Sequence, residues 1–114
     1  MKINNLISEV ELLLESPNLD FNDTGISKGK LYFDDFKQHY ARVKYSITGN
    51  TRGSDTVVIQ LDPIIEPYIK FGKFTDSKTK KEVLEFITKN NKLLLSYYNG
   101  AISWTDLKSE LIKV

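Results

Sequence analysis

His39 is the single histidine of a 114-residue chain, and Asp34 and Asp35 lie just upstream of it. An imidazole near carboxylates is a group that can move protons in general acid–base catalysis. A metal site would need more ligands than these, and the chain has no cysteine to supply them. Adjacent carboxylates on an extended chain point to opposite sides, so Asp34 and Asp35 do not converge on one substrate. Read structurally, His39 is a surface or edge histidine at the start of a strand. Gly49 and Gly53 in GNTRG lack the spacing and the lysine of a phosphate loop. No dinucleotide fingerprint, nucleophile elbow or calcium loop occurs. No residue is assigned a catalytic or metal-binding role, no cofactor is implied, and the balance leans away from an enzyme.

A second constellation carries charge rather than catalysis. Lys37, His39, Tyr40, Arg42, Lys44 and Arg52 fall on or beside one alternating segment. Tyr40, Arg42 and Lys44 share its non-core face. Basic side chains interleaved with an aromatic suit a partner surface or a nucleic-acid backbone with a stacked base. The structural alternative is the solvated outer face of a half-buried sheet. A net charge of +1 weakens the nucleic-acid case, since dedicated binders are far more basic.

The charge is unevenly spread. Residues 1–35 hold three Lys and seven acids, a balance of −4, whereas residues 36–92 hold eleven Lys/Arg and six acids, a balance of +5. Such asymmetry can guide a partner.

These groups must be positioned by a small domain. The length fits one domain, residues 1–114, and 40% apolar with 27% charged residues is ordinary globular composition. Ile3, Leu6, Ile7, Val10, Leu13 and Leu14 recur at helical spacing, and Ser16-Pro17 ends that first helix. Pro17 to Gly29 reads as a loop whose Leu19, Phe21 and Ile26 tuck onto the core. Lys30–Phe33 is a short strand. His39–Ile47 alternates, with Ala41, Val43, Tyr45 and Ile47 on the buried side. Thr48–Asp55 is a hairpin loop, and Thr56–Leu61 returns with Val57, Ile59 and Leu61 buried. Pro63 and Pro67 bracket a turn or bulge, and Tyr68–Phe71 is a last edge strand.

The C-terminal third is helical. Asp76 or Ser77 caps a run whose apolar face includes Val83, Phe86 and Ile87. At Asn90-Asn91 either the helix runs on, or it stops and one asparagine caps a second helix. Asn99-Gly100 is a stop, and Ser103 with Asp106 opens a further helix. Tyr97, Tyr98 and Trp104 read as core or rim. The expected fold is α+β: an N-terminal helix, a three- to four-stranded antiparallel sheet, and C-terminal helices packed on one face.

At EVLEFITKNNKLLLSYYNG the chain resembles the C-terminal part of small bacterial and phage proteins of the domain of unknown function 4160 family. Phe86, Ile87, Asn90 or Asn91, Leu93, Leu94 and Tyr98 carry the resemblance, which extends loosely over residues 30–100. The family's Pro-Pro-His-x-His stretch reads Lys37, Gln38, His39, Tyr40, Ala41 here, so only His39 carries over. The resemblance implies a toxin–antitoxin component.

The functional expectation is a non-enzymatic binding protein of bacterial or phage origin. It would dock on another protein, as a toxin–antitoxin component or an inhibitor of a host defence system such as an anti-CRISPR does. The alternative is an RNA-binding or ribonuclease-like toxin, with Arg42, Lys44 and Arg52 on phosphates and His39 transferring a proton. The absence of a signal-peptide pattern and of a long apolar run points to a cytoplasmic protein with no membrane partner.

Overall fold

The computed structural model describes residues 17–33, 41–48 and 56–114. The expected first helix, Asp34 and Asp35, most of the hairpin loop, and Lys37, His39, Tyr40 and Arg52 lie outside the described residues.

The fold is α+β. Five strands form an antiparallel meander: β1 (Asn18–Leu19), β2 (Lys30–Phe33), β3 (Arg42–Ser46), β4 (Val57–Gln60) and β5 (Tyr68–Phe71), side by side in chain order. Four helices are described: α1 (Phe21–Thr24), α2 (Ser77–Lys89), α3 (Asn91–Tyr98) and α4 (Trp104–Glu110). The sheet thus has one strand more than three or four. The addition is β1, whose two residues pair Asn18 with Tyr32 and Leu19 with Leu31. The segment expected to be loop therefore contains β1 and the one-turn helix α1. Asp20 and Asp23 form a capping box around α1, which short-range polar spacing disguises as loop composition.

Register settles which side chains share a face. Leu31 pairs with Tyr45, and Tyr45 with Val57; Phe33 pairs with Val43, Val43 with Ile59, and Ile59 with Ile69. All but the partly buried Ile69 are buried, and this face meets the helices in one core. The alternation expected of β3 ends one residue early: Ser46 is buried and Ile47 lies exposed in a bend beyond the strand. Phe21 is likewise exposed, while its neighbours Leu19 and Ile26 are buried.

On the helical side α2 contributes Val83, Phe86 and Ile87, all fully buried. Burying each such side chain contributes about 1.5–3 kcal/mol. Tyr97 and Tyr98 are buried, and Trp104 packs partly against the core. Phe33 meets Tyr97 and Trp104 edge to face, and those two rings are tilted against each other, with centroids 5.2 to 5.6 Å apart. The late aromatics are therefore packing groups.

Helix ends follow their caps. Asp76 accepts from the Thr79 amide at 2.7 Å and from its hydroxyl at 2.9 Å. The Ser103 hydroxyl accepts from the Asp106 amide at 3.1 Å. Gly100 sits at φ 78° and closes α3, with its amide on Tyr97 O and the Ala101 amide on Ser96 O. Between α2 and α3 the helix does break at Asn90. Asn90 is the N-cap residue of α3, with its carbonyl accepting from the Leu94 amide at 2.8 Å, but its buried side chain makes no capping bond. It bonds to the C-terminal segment instead.

Candidate functional surface

Of the basic group singled out in the sequence, Arg42 and Lys44 are described. They stand two apart on β3, half-buried, on the sheet face opposite the helical core. The register places them in two cross-strand rows. One runs Tyr32, Lys44, Val58, Phe71; the other runs Arg42, Gln60, Tyr68. Paired residues on neighbouring strands bring their side chains within reach. The outer face thus brings Arg42 and Lys44 together with three aromatics that sequence reasoning did not assign to it: Tyr32, Tyr68 and Phe71. Period-two spacing could have put Tyr32 on that face, but Phe71 required the bulge opposite Val58 and Ile59.

The second feature is apolar exposure around β5. Ile64, Ile65, Tyr68 and Phe71 are 90, 55, 44 and 59% exposed. They span the β4–β5 connection and β5, the last strand in the sheet order. The connection is held by Asp62, whose Oδ1 accepts from the amides of Ile64 at 2.8 Å and Ile65 at 3.1 Å. Those two amides, Ile64 foremost, hold the Asp62 carboxyl below its usual range. This Asx turn presents both isoleucines outward.

Behind the turn lies a cleft of about 300 Å³ between the ends of β3 and β4 and the C-terminal half of α3. Gln60, Leu61, Asp62, Pro63, Leu95 and Asn99 line it. Gln60 Nε2 donates to Ala41 O at 3.0 Å and to Leu61 O at 3.3 Å, which fixes the orientation of its amide. Asn91 Nδ2 donates to Asp62 O at 2.8 Å. The opposite ends of these two amides, Gln60 Oε1 and Asn91 Oδ1, are buried and have no hydrogen-bond partner among the described residues. Each unmatched buried acceptor costs about 1–3 kcal/mol. Sequence reasoning noticed neither residue as a site group, because nothing local marks an amide whose far end is left unmatched.

Among the described residues no group of three or more side chains is placed to hold a metal ion. None of their helices is long and apolar enough to cross a membrane. Compared with protein-family models, with curated proteins and with solved structures, the chain matches none.

Proposed function

We propose that this chain is a non-enzymatic binding protein that docks on another protein through the β5 edge and the adjoining outer sheet face. The observation that carries this reading is the grouping of exposed apolar side chains. Ile64, Ile65, Tyr68 and Phe71 fall within eight residues along one edge of the sheet. Gathered exposed apolar groups mark interaction surfaces, and single scattered ones do not. A strand at a sheet edge can also accept a further strand from a partner. Arg42 and Lys44 on the adjoining rows add charge that can orient such a partner. Docking without turnover is how a toxin–antitoxin component or an inhibitor of a host defence system, such as an anti-CRISPR, acts.

Affinity capture from the native host tests this, comparing the tagged chain with its Phe71→Glu variant. A partner retained by the native chain and lost by the variant is expected. A partner held equally by both, or none at all, would remove the reading.

A second reading is an RNA-binding or ribonuclease-like protein. Its support is the interleaving of Tyr32, Lys44 and Phe71 in one row beside Arg42. Binding of single-stranded RNA should then weaken steeply with salt. Cleavage that survives His39→Ala would remove the catalytic form.

A further inference from the structure

We propose that the cleft behind the Asp62 turn is a subsite for a cationic side chain, arginine or lysine, presented by the protein on which this chain docks. The proposal rests on the docking reading above, and three independent features of the cleft support it.

First, the most buried polar side chain of the lining offers an acceptor and no free donor. Gln60 is only 7% exposed, spends its amide nitrogen on two backbone carbonyls, and leaves Oε1 unmatched. Asn91, which does not line the cleft, donates to Asp62 O and so holds the backbone of a lining residue in place. Gln60 Oε1 is closed to solvent behind the cleft wall, so it adds negative potential at that wall and not a direct contact.

Second, the electrostatics favour a cation. The Asp62 carboxylate lines the cleft, and both of its amide bonds fall on Oδ1, leaving Oδ2 without a donor among the described residues. The carboxyl end of α3 also opens here, through Leu95 and Asn99, and a helix C-terminus carries partial negative charge. No lysine or arginine lines the cleft among the described residues. Arg42, which pairs with Gln60 across the strands, is not one of its lining groups.

Third, the remaining wall is apolar. Leu61, Pro63 and Leu95 would flank an alkyl stem, and long basic side chains pack their methylenes while their heads stay polar. The volume, about 300 Å³, is at the small end of ligand clefts and suits one side chain. The cleft opens next to the exposed isoleucines, so an anchor on the same partner could reach both.

The test is a nuclear magnetic resonance titration of the isotope-labelled full chain. The probes are N-acetyl-arginine methylamide and its neutral isostere N-acetyl-citrulline methylamide. Saturable shifts of the Gln60 and Asn91 side-chain amides are expected with the arginine probe, with binding roughly fivefold weaker for citrulline, the worth of one ion contact near water. Asn99→Lys puts a positive charge on the rim, at a helix end that tolerates it, and should weaken the arginine probe by a similar factor. Unsaturable shifts, an equal response to both probes, or an unchanged response in Asn99→Lys would overturn the proposal. A partner captured with undiminished affinity by Asn99→Lys would leave docking in place and overturn the subsite. A selective arginine response with no partner captured would sustain the subsite and remove the docking reading.

Discussion

Asn90 holds Ile112 by both of its backbone groups: Oδ1 accepts from the Ile112 amide at 2.8 Å, and Nδ2 donates to its carbonyl at 2.8 Å. The same nitrogen also donates to Phe86 O at 2.9 Å. One side chain thus closes α2 and ties the segment after α4 to it, two positions separated by 22 residues. Three bonds use all the donors and one acceptor site of a buried amide.

Asn90→Ala should destabilise the fold by about 2–4 kcal/mol, since hydrogen bonds worth about 1 kcal/mol each are lost and their partners lie partly buried. Asn90→Asp should fail to restore it, because a carboxylate cannot donate to Phe86 O and Ile112 O. If Asn90 acted only as a helix cap, aspartate would serve as well. Denaturant unfolding of the two variants separates these outcomes.

Gly29 has φ 82°, and a Cβ there would collide with the Tyr45 ring. That ring is fixed by its hydroxyl, which donates to Lys28 O at 2.8 Å. Gly29→Ala should cost about 2–4 kcal/mol, combining the left-handed backbone penalty with overpacking. Tyr45→Phe, which removes only the hydroxyl bond, should cost about 1 kcal/mol. Thermal unfolding of both variants checks the order.

Two carboxylates join the β1–β2 connection to α2. Asp76 accepts from Thr79, which lowers its pKa most, and meets Lys28 Nζ at 3.0 Å; together they bring its pKa from 3.8 down to about 2. Glu82 accepts from the amide and hydroxyl of Ser27, which lower its pKa too. A carboxyl whose folded pKa is depressed stabilises the fold above its unfolded pKa and loses that contribution as pH falls toward the folded value. The Asp76 contribution should therefore be intact above about pH 4 and decline between pH 3.8 and about 2. Asp76→Asn should flatten that part of an acid-unfolding profile recorded by circular dichroism.

Ile64 is almost fully exposed, so Ile64→Asp should change the unfolding free energy by no more than about 0.5 kcal/mol. Binding to the captured partner should nevertheless weaken by about 1–2 kcal/mol if Ile64 is buried on docking. Calorimetry on the variant, beside its denaturant melt, reads both quantities. A large loss of stability with unchanged affinity would contradict the surface role.

Local chemistry in the sequence was enough to place most elements. Lys30–Phe33 and Tyr68–Phe71 are strands as expected, Asp76 and Ser103 cap their helices, and Gly100 ends α3. These features depend on residues within a turn or two of each other, so spacing alone reveals them. Of the candidate surface, the sequence identified Arg42 and Lys44 as sharing an outer face, because alternation along a strand is also local.

Tertiary structure decided the rest. Asn90 occupies the helix boundary that its sequence suggests, but only the return of the chain at Ile112 gives its side chain partners there. Phe21 and Ile47 fit an apolar pattern yet stay exposed, since hydrophobicity does not say where the core ends. The row joining Lys44 to Tyr32 and Phe71, and the unmatched oxygens of Gln60 and Asn91, come from strand register, a bulge and the docking of α3. Each joins residues far apart in the chain, and periodicity within one element carries no information about which distant partner it will meet.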